Sequence, residues 1–257
     1  MHNNPIGVFD SGVGGLSVLK ALRKLLPHED FIYVADQAFA PYGKRKKSEI
    51  TQRANTITKW LLSQNCKLIV VACNTATTNA ISHLRNTYNI PFVGIEPAIK
   101  PAALGSKTGV VGVLATQGTL SSELFQSTTQ DHAKDINVIT QVGHGLVELV
   151  ENGNGESTQA ETQLRQDLAP MLKHPIDHLV LGCTHYPFLS KILKKILPKH
   201  VTIVDCGEAV AKQTKRLLKE HHMANAGESN TTYFSTATPN KTLWKLFGVD
   251  TVQHMEI

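Results

Sequence analysis

The 257-residue sequence contains no run approaching the roughly 18 consecutive apolar residues that cross a membrane as a helix. Its start, Met1 to Pro5, has neither a basic opening nor a long apolar stretch. No secretory signal is therefore visible, and a cytoplasmic location is expected. Cysteine is scarce: Cys66, Cys73, Cys183 and Cys206 include no Cys-x-x-Cys pair, which argues against a structural zinc site. In a reducing compartment, thiols spaced this way are expected to be free. Charge of one sign is in only mild excess, with a net charge of +5 and a pI near 9.0. Attraction of a small anionic substrate explains that balance as well as nucleic acid would, so no nucleic-acid partner is expected.

What is present is an ordinary globular composition, 41% hydrophobic and 18% charged, in a chain long enough to bury ample core. Short apolar runs of strand type fall at Ile6–Phe9, Phe31–Ala35, Leu68–Ala72, Phe92–Ile95, Val110–Leu114, Asn137–Gln141, His178–Gly182 and Thr202–Asp205. Amphipathic stretches such as Ser17–Leu26, Glu49–Gln64, Thr77–Tyr88 and Ser157–Lys173 lie between them. This alternation predicts an α/β fold with mainly parallel sheets.

The chain also repeats itself. Gly7–Gly12 aligns with Gly112–Gln117, and Phe31–Ala35 aligns with Ile136–Thr140. Cys73 and Cys183 then end two similar strands, Leu68–Ala72 and Leu179–Gly182. The pattern predicts two pseudo-symmetric α/β domains. Residues 1–96 form the first and residues 97–206 the second, with the tail 207–257, which ends in a strand over Thr251–Ile257, returning to complete the first. Ligands of open α/β sheets bind beyond the carboxyl ends of the strands, where Asp10, Cys73, Thr116 and Cys183 fall. The active site is therefore expected in the cleft between the domains.

A buried free thiol is commonly a small apolar residue and nothing more, which suits Cys66 and Cys206. Cys73 and Cys183 differ, because each is followed by polar residues: Asn74-Thr75 in one case, Thr184-His185 in the other. Two thiols on opposite faces of a substrate supply one proton acceptor and one donor, as inverting a carbon centre without a cofactor requires. Helix amides following each cysteine are expected to favour a thiolate near neutral pH. Cys183 and His185 also fit a nucleophilic Cys–His pair or metal ligation. The turn Asp10-Ser11-Gly12-Val13-Gly14-Gly15 lacks the third glycine of a dinucleotide loop and the Gly-Lys-Ser/Thr of a P-loop. Its amides are expected to hold a smaller anion, a carboxylate, although Asp10 also reads as a helix cap. Ala40-Pro41-Tyr42-Gly43 reads as a turn that offers backbone donors to the cleft. The basic run Lys44–Lys47 reads as a solvated helix start.

Taken together and in order, six segments resemble the cofactor-independent aspartate/glutamate racemase family. They are Phe9–Leu16, Pro41-Tyr42-Gly43, Ala72–Thr77, Gly94–Ala98, Leu114–Thr119 and Gly182–Pro187. The resemblance spans nearly the whole chain. It implies interconversion of L- and D-glutamate as a small-molecule substrate, supplying D-glutamate for peptidoglycan, with no cofactor and no metal. It is compatible with a homodimer and implies no membrane partner. It implies catalytic roles for Cys73 and Cys183, with Asp10, His185 and Glu151 assisting proton transfer. Substrate contacts would fall on Asp10, Ser11, Pro41, Tyr42, Gly43, Asn74, Thr75, Thr116, Thr119, Thr184 and His185. One departure precedes Glu151, where Gly143-His144 stands in place of the family's common Cys-Pro.

Overall fold

The computed structural model describes residues 4–257. Its strands are β1 (Ile6–Asp10), β2 (Phe31–Ala35), β3 (Leu68–Val71), β4 (Phe92–Gly94), β5 (Val110–Ala115), β6 (Asn137–Val142), β7 (His178–Gly182), β8 (Thr202–Val204), β9 (Thr231–Ser235) and β10 (Gln253–His254). The helices between them are α1 (Leu16–Leu25), α2 (Lys47–Ser63), α3 (Asn74–Thr87), α4 (Ile99–Gly105), α5 (Gln117–Leu120), α6 (Glu123–His132), α7 (Leu146–Glu151), α8 (Thr158–Leu168), α9 (Ser190–Ile196), α10 (Gly207–Glu220) and α11 (Lys241–Leu246).

The strands form two sheets, and every pairing among the described residues is parallel. One runs in the order β10-β9-β2-β1-β3-β4 and the other β6-β5-β7-β8. The segment β2-β1-β3-β4 thus repeats as β6-β5-β7-β8, which is the topology behind the sequence repeat. Parallel strands covered on both faces read as unbroken apolar runs. The central strands β1 and β3 are buried throughout, whereas the edge strands β6 and β8 are partly exposed.

The tail returns to the first sheet. Strand β9 pairs with β2 in the register Phe31↔Thr231 to Ala35↔Ser235, and β10 extends from β9. Helix α10 packs along α1, burying Val210, Ala211, Thr214 and Leu218 at helical spacing. Helix α11 seats a fully buried Trp244 against Tyr33 and Tyr233, each at 6.3 Å between ring centroids. Two apolar clusters result. One lies between the first sheet and helices α2 and α3. The larger runs from the other face of that sheet, through α1, into the second sheet and its helices.

Two expected elements are shorter than predicted. The helix expected over 157–173 stops at Leu168, and the chain goes on as a 3-10 turn, Met171–Lys173. Pro170 lacks the N–H that a continuing helix would need. The strand expected over 251–257 pairs only at Gln253–His254, because it is an edge addition to β9.

The register places the carboxyl ends of β1, β3, β5 and β7 on the site. Strands β1 and β3 are neighbours, with the chain leaving to opposite sides of the sheet, and β5 and β7 repeat this. These are the crevices where such sheets bind ligands.

Candidate active site

Cys73 and Cys183 line one small cavity, together with Ser11, Pro41, Tyr42, Gly43, Asn74, Thr75, Thr116, Val147, Thr184 and His185. Its volume is about 10 Å³, room for roughly one water and far too little for an amino acid. The site is narrow in this structure, and its walls must separate to seat a substrate.

Each cysteine sits at the end of its strand in a different electrostatic setting. Cys73 is the N-cap of α3, and its Sγ accepts the Ala76 N–H at 3.4 Å. The Sγ also lies 3.8 Å from Ser11 Oγ. The helix amide is thus in place, but it does not win. Burial, followed by the charge of Asp10, pushes the Cys73 thiol well above its ordinary value. This corrects the expectation of a helix-stabilised thiolate at Cys73. Cys183 caps no helix; its Sγ lies 3.7 Å from His185 Nδ1.

His185 Nε2 meets Glu151 Oε1 at 2.6 Å. Burial pulls the imidazole pKa down, but the bonds to Cys183 and Glu151 outweigh it, and His185 is held well above its usual value. Burial also pushes Glu151 upward, yet the bonds from His185, Gln37 and the Val13 N–H hold its carboxyl below the ordinary range. Asp10 is fully buried, and that burial raises its carboxyl against the opposing pull of His185. Asp10 Oδ2 accepts the Gly15 N–H at 2.6 Å and the Thr184 hydroxyl at 3.3 Å, so it ties the first sheet to the second. Asp10 is not the cap of α1, since Gly15 is its N-cap residue and, of the amides there, Asp10 accepts only that residue's own N–H.

The glycine turn does hold carboxylates, but they belong to the protein. The Val13 N–H donates to Glu151 Oε1 at 2.7 Å and the Gly15 N–H to Asp10. A Cβ at Gly12 would lie 1.8 Å from Glu151 Oε1, so the close approach requires glycine there. The expectation that these amides bind substrate is therefore corrected at Val13 and Gly15. The Gly143-His144 departure leaves Glu151 in contact with His185. Gly143 packs against the Tyr186 ring, and His144 bonds Asp167 through Nδ1 at 2.8 Å.

The opposite wall is neutral and polar. Thr75, Thr116 and Thr119 form a triangle of hydroxyls with edges of 2.8, 3.1 and 3.2 Å. Thr119 stands behind the other two and does not line the cavity. Asn74 is buried, and neither its side-chain nitrogen nor its oxygen has a partner among the described residues. An orphaned amide beside a cavity calls for a partner that the protein itself does not supply. Tyr42 reaches the cavity from the turn Tyr42–Lys44, with its hydroxyl donating to Asp36 at 2.5 Å. Asp36 is in turn clamped by Arg53 through bonds of 2.8 and 3.0 Å.

The basic run is exposed as expected, but two of its lysines reach across to the second sheet's helices. Lys44 pairs with Glu148 at 2.5 Å and Lys47 with Glu123 at 3.6 Å. Cys66 and Cys206 are buried away from the cavity, and burial pushes each thiol up to about 12. Sequence reasoning missed Val147, Gln37 and the Asp36–Arg53 clamp. Asp36 and Gln37 follow β2 just beyond Ala35, which pairs with Asp10 at the end of β1, and that position was their only signal.

Residues 6–214 match the Asp/Glu/Hydantoin racemase family, and the chain belongs to it, as an enzyme of the racemase class of isomerases. Within that class its relatives are glutamate racemases. That of Herpetosiphon aurantiacus is 50% identical over 225 residues, covering 88% of this chain and 89% of that protein. That of Stutzerimonas stutzeri is 44% identical over 238 residues, covering 92% and 90%. Among solved structures, Escherichia coli glutamate racemase, crystallised with L-glutamate and an activator, superposes with a TM-score of 0.88 at 35% identity. The match covers 98% of each chain.

Proposed function

We propose that this enzyme interconverts L- and D-glutamate by proton transfer between two cysteines on opposite faces of Cα. The observation that carries the reading is the shared cavity, which brings Cys73 from one sheet and Cys183 from the other to one point. The glutamate racemases to which the chain is similar support the substrate.

The α-proton of an amino acid is a weak acid, so each proton carrier must be matched to its task. Cys73, beside Asp10 in a dry setting, favours the neutral thiol and is suited to donate. Cys183 lies against His185, whose imidazole the bonds to Cys183 and Glu151 hold above its usual value, so a positive charge stands beside the sulfur. In the L-to-D direction the Cys183 thiolate takes the Cα proton, and the Cys73 thiol delivers its own to the other face. The cysteines end with exchanged protonation states, which are those the reverse reaction requires. Asn74 and the hydroxyls of Thr75, Thr116 and Thr184 supply donors to substrate carboxylates. Such preorganised donors in a closed site strengthen as water leaves. The narrow cavity requires an opening motion to seat substrate.

The same reading assigns residues 1–96 with 207–257 to one domain and 97–206 to the other, moving about the cleft. It extends to D-glutamate supply for peptidoglycan in the cytoplasm and is compatible with a homodimer. A Cys–His hydrolase built on Cys183 leaves Cys73 without a role in the cavity it lines.

Incubation of the purified protein with L-glutamate in D₂O is expected to give D-glutamate deuterated at Cα, without added cofactor. Cys73→Ala and Cys183→Ala are each expected to abolish turnover with the fold intact. Racemisation by either variant at more than a few per cent of the parent rate overturns the two-thiol reading.

A further inference from the structure

We propose that Gln37 is a positioning residue for the Cys183 side of the site, acting through Glu151. The inference rests on the two-thiol reading and deepens it. Gln37 opens the 3-10 turn Gln37–Phe39 directly after β2. Its Nε2 donates to Glu151 Oε2 at 2.8 Å, and its Oε1 lies 2.9 Å from the hydroxyl of Ser235. The carboxylate only accepts, so the amide nitrogen must face it, and Oε1 is left toward Ser235, whose single hydroxyl proton is shared between Gln37 Oε1 and the Ala237 carbonyl at 2.8 Å. Ser235 is fully buried at the end of β9 and is itself fixed by the Ala237 N–H at 3.2 Å.

A single line of bonds therefore runs from the returned tail to the second sheet's thiol: Ser235, Gln37, Glu151, His185, Cys183. Glu151 Oε1 is already shared by His185 and the Val13 N–H. Gln37 is the partner of the other oxygen, Oε2, and so fixes the rotation of the carboxylate about its last bond. On this side Glu151 borders a second cavity of about 370 Å³, which Gln37 also lines. That space is ample for water. With Gln37 in place, Oε2 meets a fixed dipole instead of mobile water, so Glu151 stays aimed at His185 without reorganisation. Gln37 does not line the cysteine cavity.

The test compares the full chain with Gln37→Leu, which keeps bulk against water but cannot donate. Two readouts are taken: kcat and KM for L-glutamate, and the rate of iodoacetamide alkylation at Cys183 relative to Cys73, resolved by peptide mass spectrometry. The expected result is a kcat about tenfold lower, the scale of one hydrogen bond to a charged group, with KM within twofold. The Cys183 alkylation rate falls several-fold relative to Cys73. An unchanged alkylation ratio overturns the proposal even if activity falls, because a merely structural defect does not single out one thiol. Should Gln37→Leu fail to fold, Ser235→Ala decides by the same ratio, with a loss of about threefold expected. If the parent protein does not racemise glutamate, the functional reading fails, and the alkylation ratio still decides the role of Gln37.

Discussion

Replacing Gly14 by alanine tests whether the Glu151–His185–Cys183 line must be held rigidly. A Cβ built at Gly14 lies 2.4 Å from His185 Nδ1, 2.6 Å from Cε1 and 2.7 Å from Cγ. Ordinary contact needs about 3.4 Å or more, so the ring or the turn must retreat by roughly 1 Å. Neither is free to do so. His185 is only 2% exposed and is tied through Nε2 to Glu151, and the turn is tied through Val13 to the same carboxylate. The added methyl also points at Nδ1, the atom that faces Cys183. A displacement of about 1 Å at a catalytic group costs on the order of 10²-fold in rate, equivalent to about 2.7 kcal/mol of barrier. Overpacking should also lower the unfolding free energy by about 1–3 kcal/mol. The assay is kcat and KM for L-glutamate by circular dichroism, alongside urea unfolding. Activity within threefold of the parent in a folded Gly14→Ala protein would refute a rigid Glu151–His185–Cys183 line.

Three further outcomes follow from the same contacts. Asn74→Ala removes an amide with no partner in the protein, so unfolding free energy should stay level or rise, while KM for glutamate rises about tenfold or more; a loss of stability with unchanged KM contradicts its role as a binding group. Arg53→Leu leaves the fully buried Asp36 unpaired and should lower stability by about 3–5 kcal/mol in urea titrations, with a change under 1 kcal/mol as the contrary result. Glu151→Gln should change the pH dependence of stability on two sides. Glu151 is depressed when folded, so its contribution is present above the unfolded carboxyl value and fades as pH falls through the folded one. His185 is raised, so its contribution is present below the unfolded imidazole value and fades as pH rises through the folded one. The stability gap between parent and variant should therefore be widest between those limits and narrow on either side; a gap independent of pH would show that the pair is not ionised.

Much of the architecture was legible because it is written in local patterns. Unbroken runs such as Leu68–Val71 and Leu179–Gly182 can only be strands buried on both faces, and their recurrence in order announced two sheets of one topology. The site residues that follow strand ends, Asp10, Ser11, Asn74, Thr75, Thr116, Thr184 and His185, were legible for the same reason. Glu151 was reachable only through family resemblance, since nothing near it in sequence marks it; it ends a six-residue helix, α7. Gln37 gave no signal beyond its place after β2, because its partners, Glu151 and Ser235, are supplied by other parts of the chain.

The sequence by itself determined which segments become strands, that they pair in parallel, and that two thiols end equivalent strands, because hydrophobic periodicity and turn chemistry act over a few residues. Only the tertiary structure decided which groups those thiols face. Bonds such as Val13 to Glu151 and Thr184 to Asp10 join residues 138 and 174 positions apart, and they exist because two sheets dock with their strand ends together. That docking brings Cys73, from the first sheet, and Cys183, from the second, to one cavity. The groups that complete the surroundings of each thiol, Asp10 near Cys73 and Glu151 behind the His185 that faces Cys183, are brought there by contacts between distant segments, which local sequence does not encode.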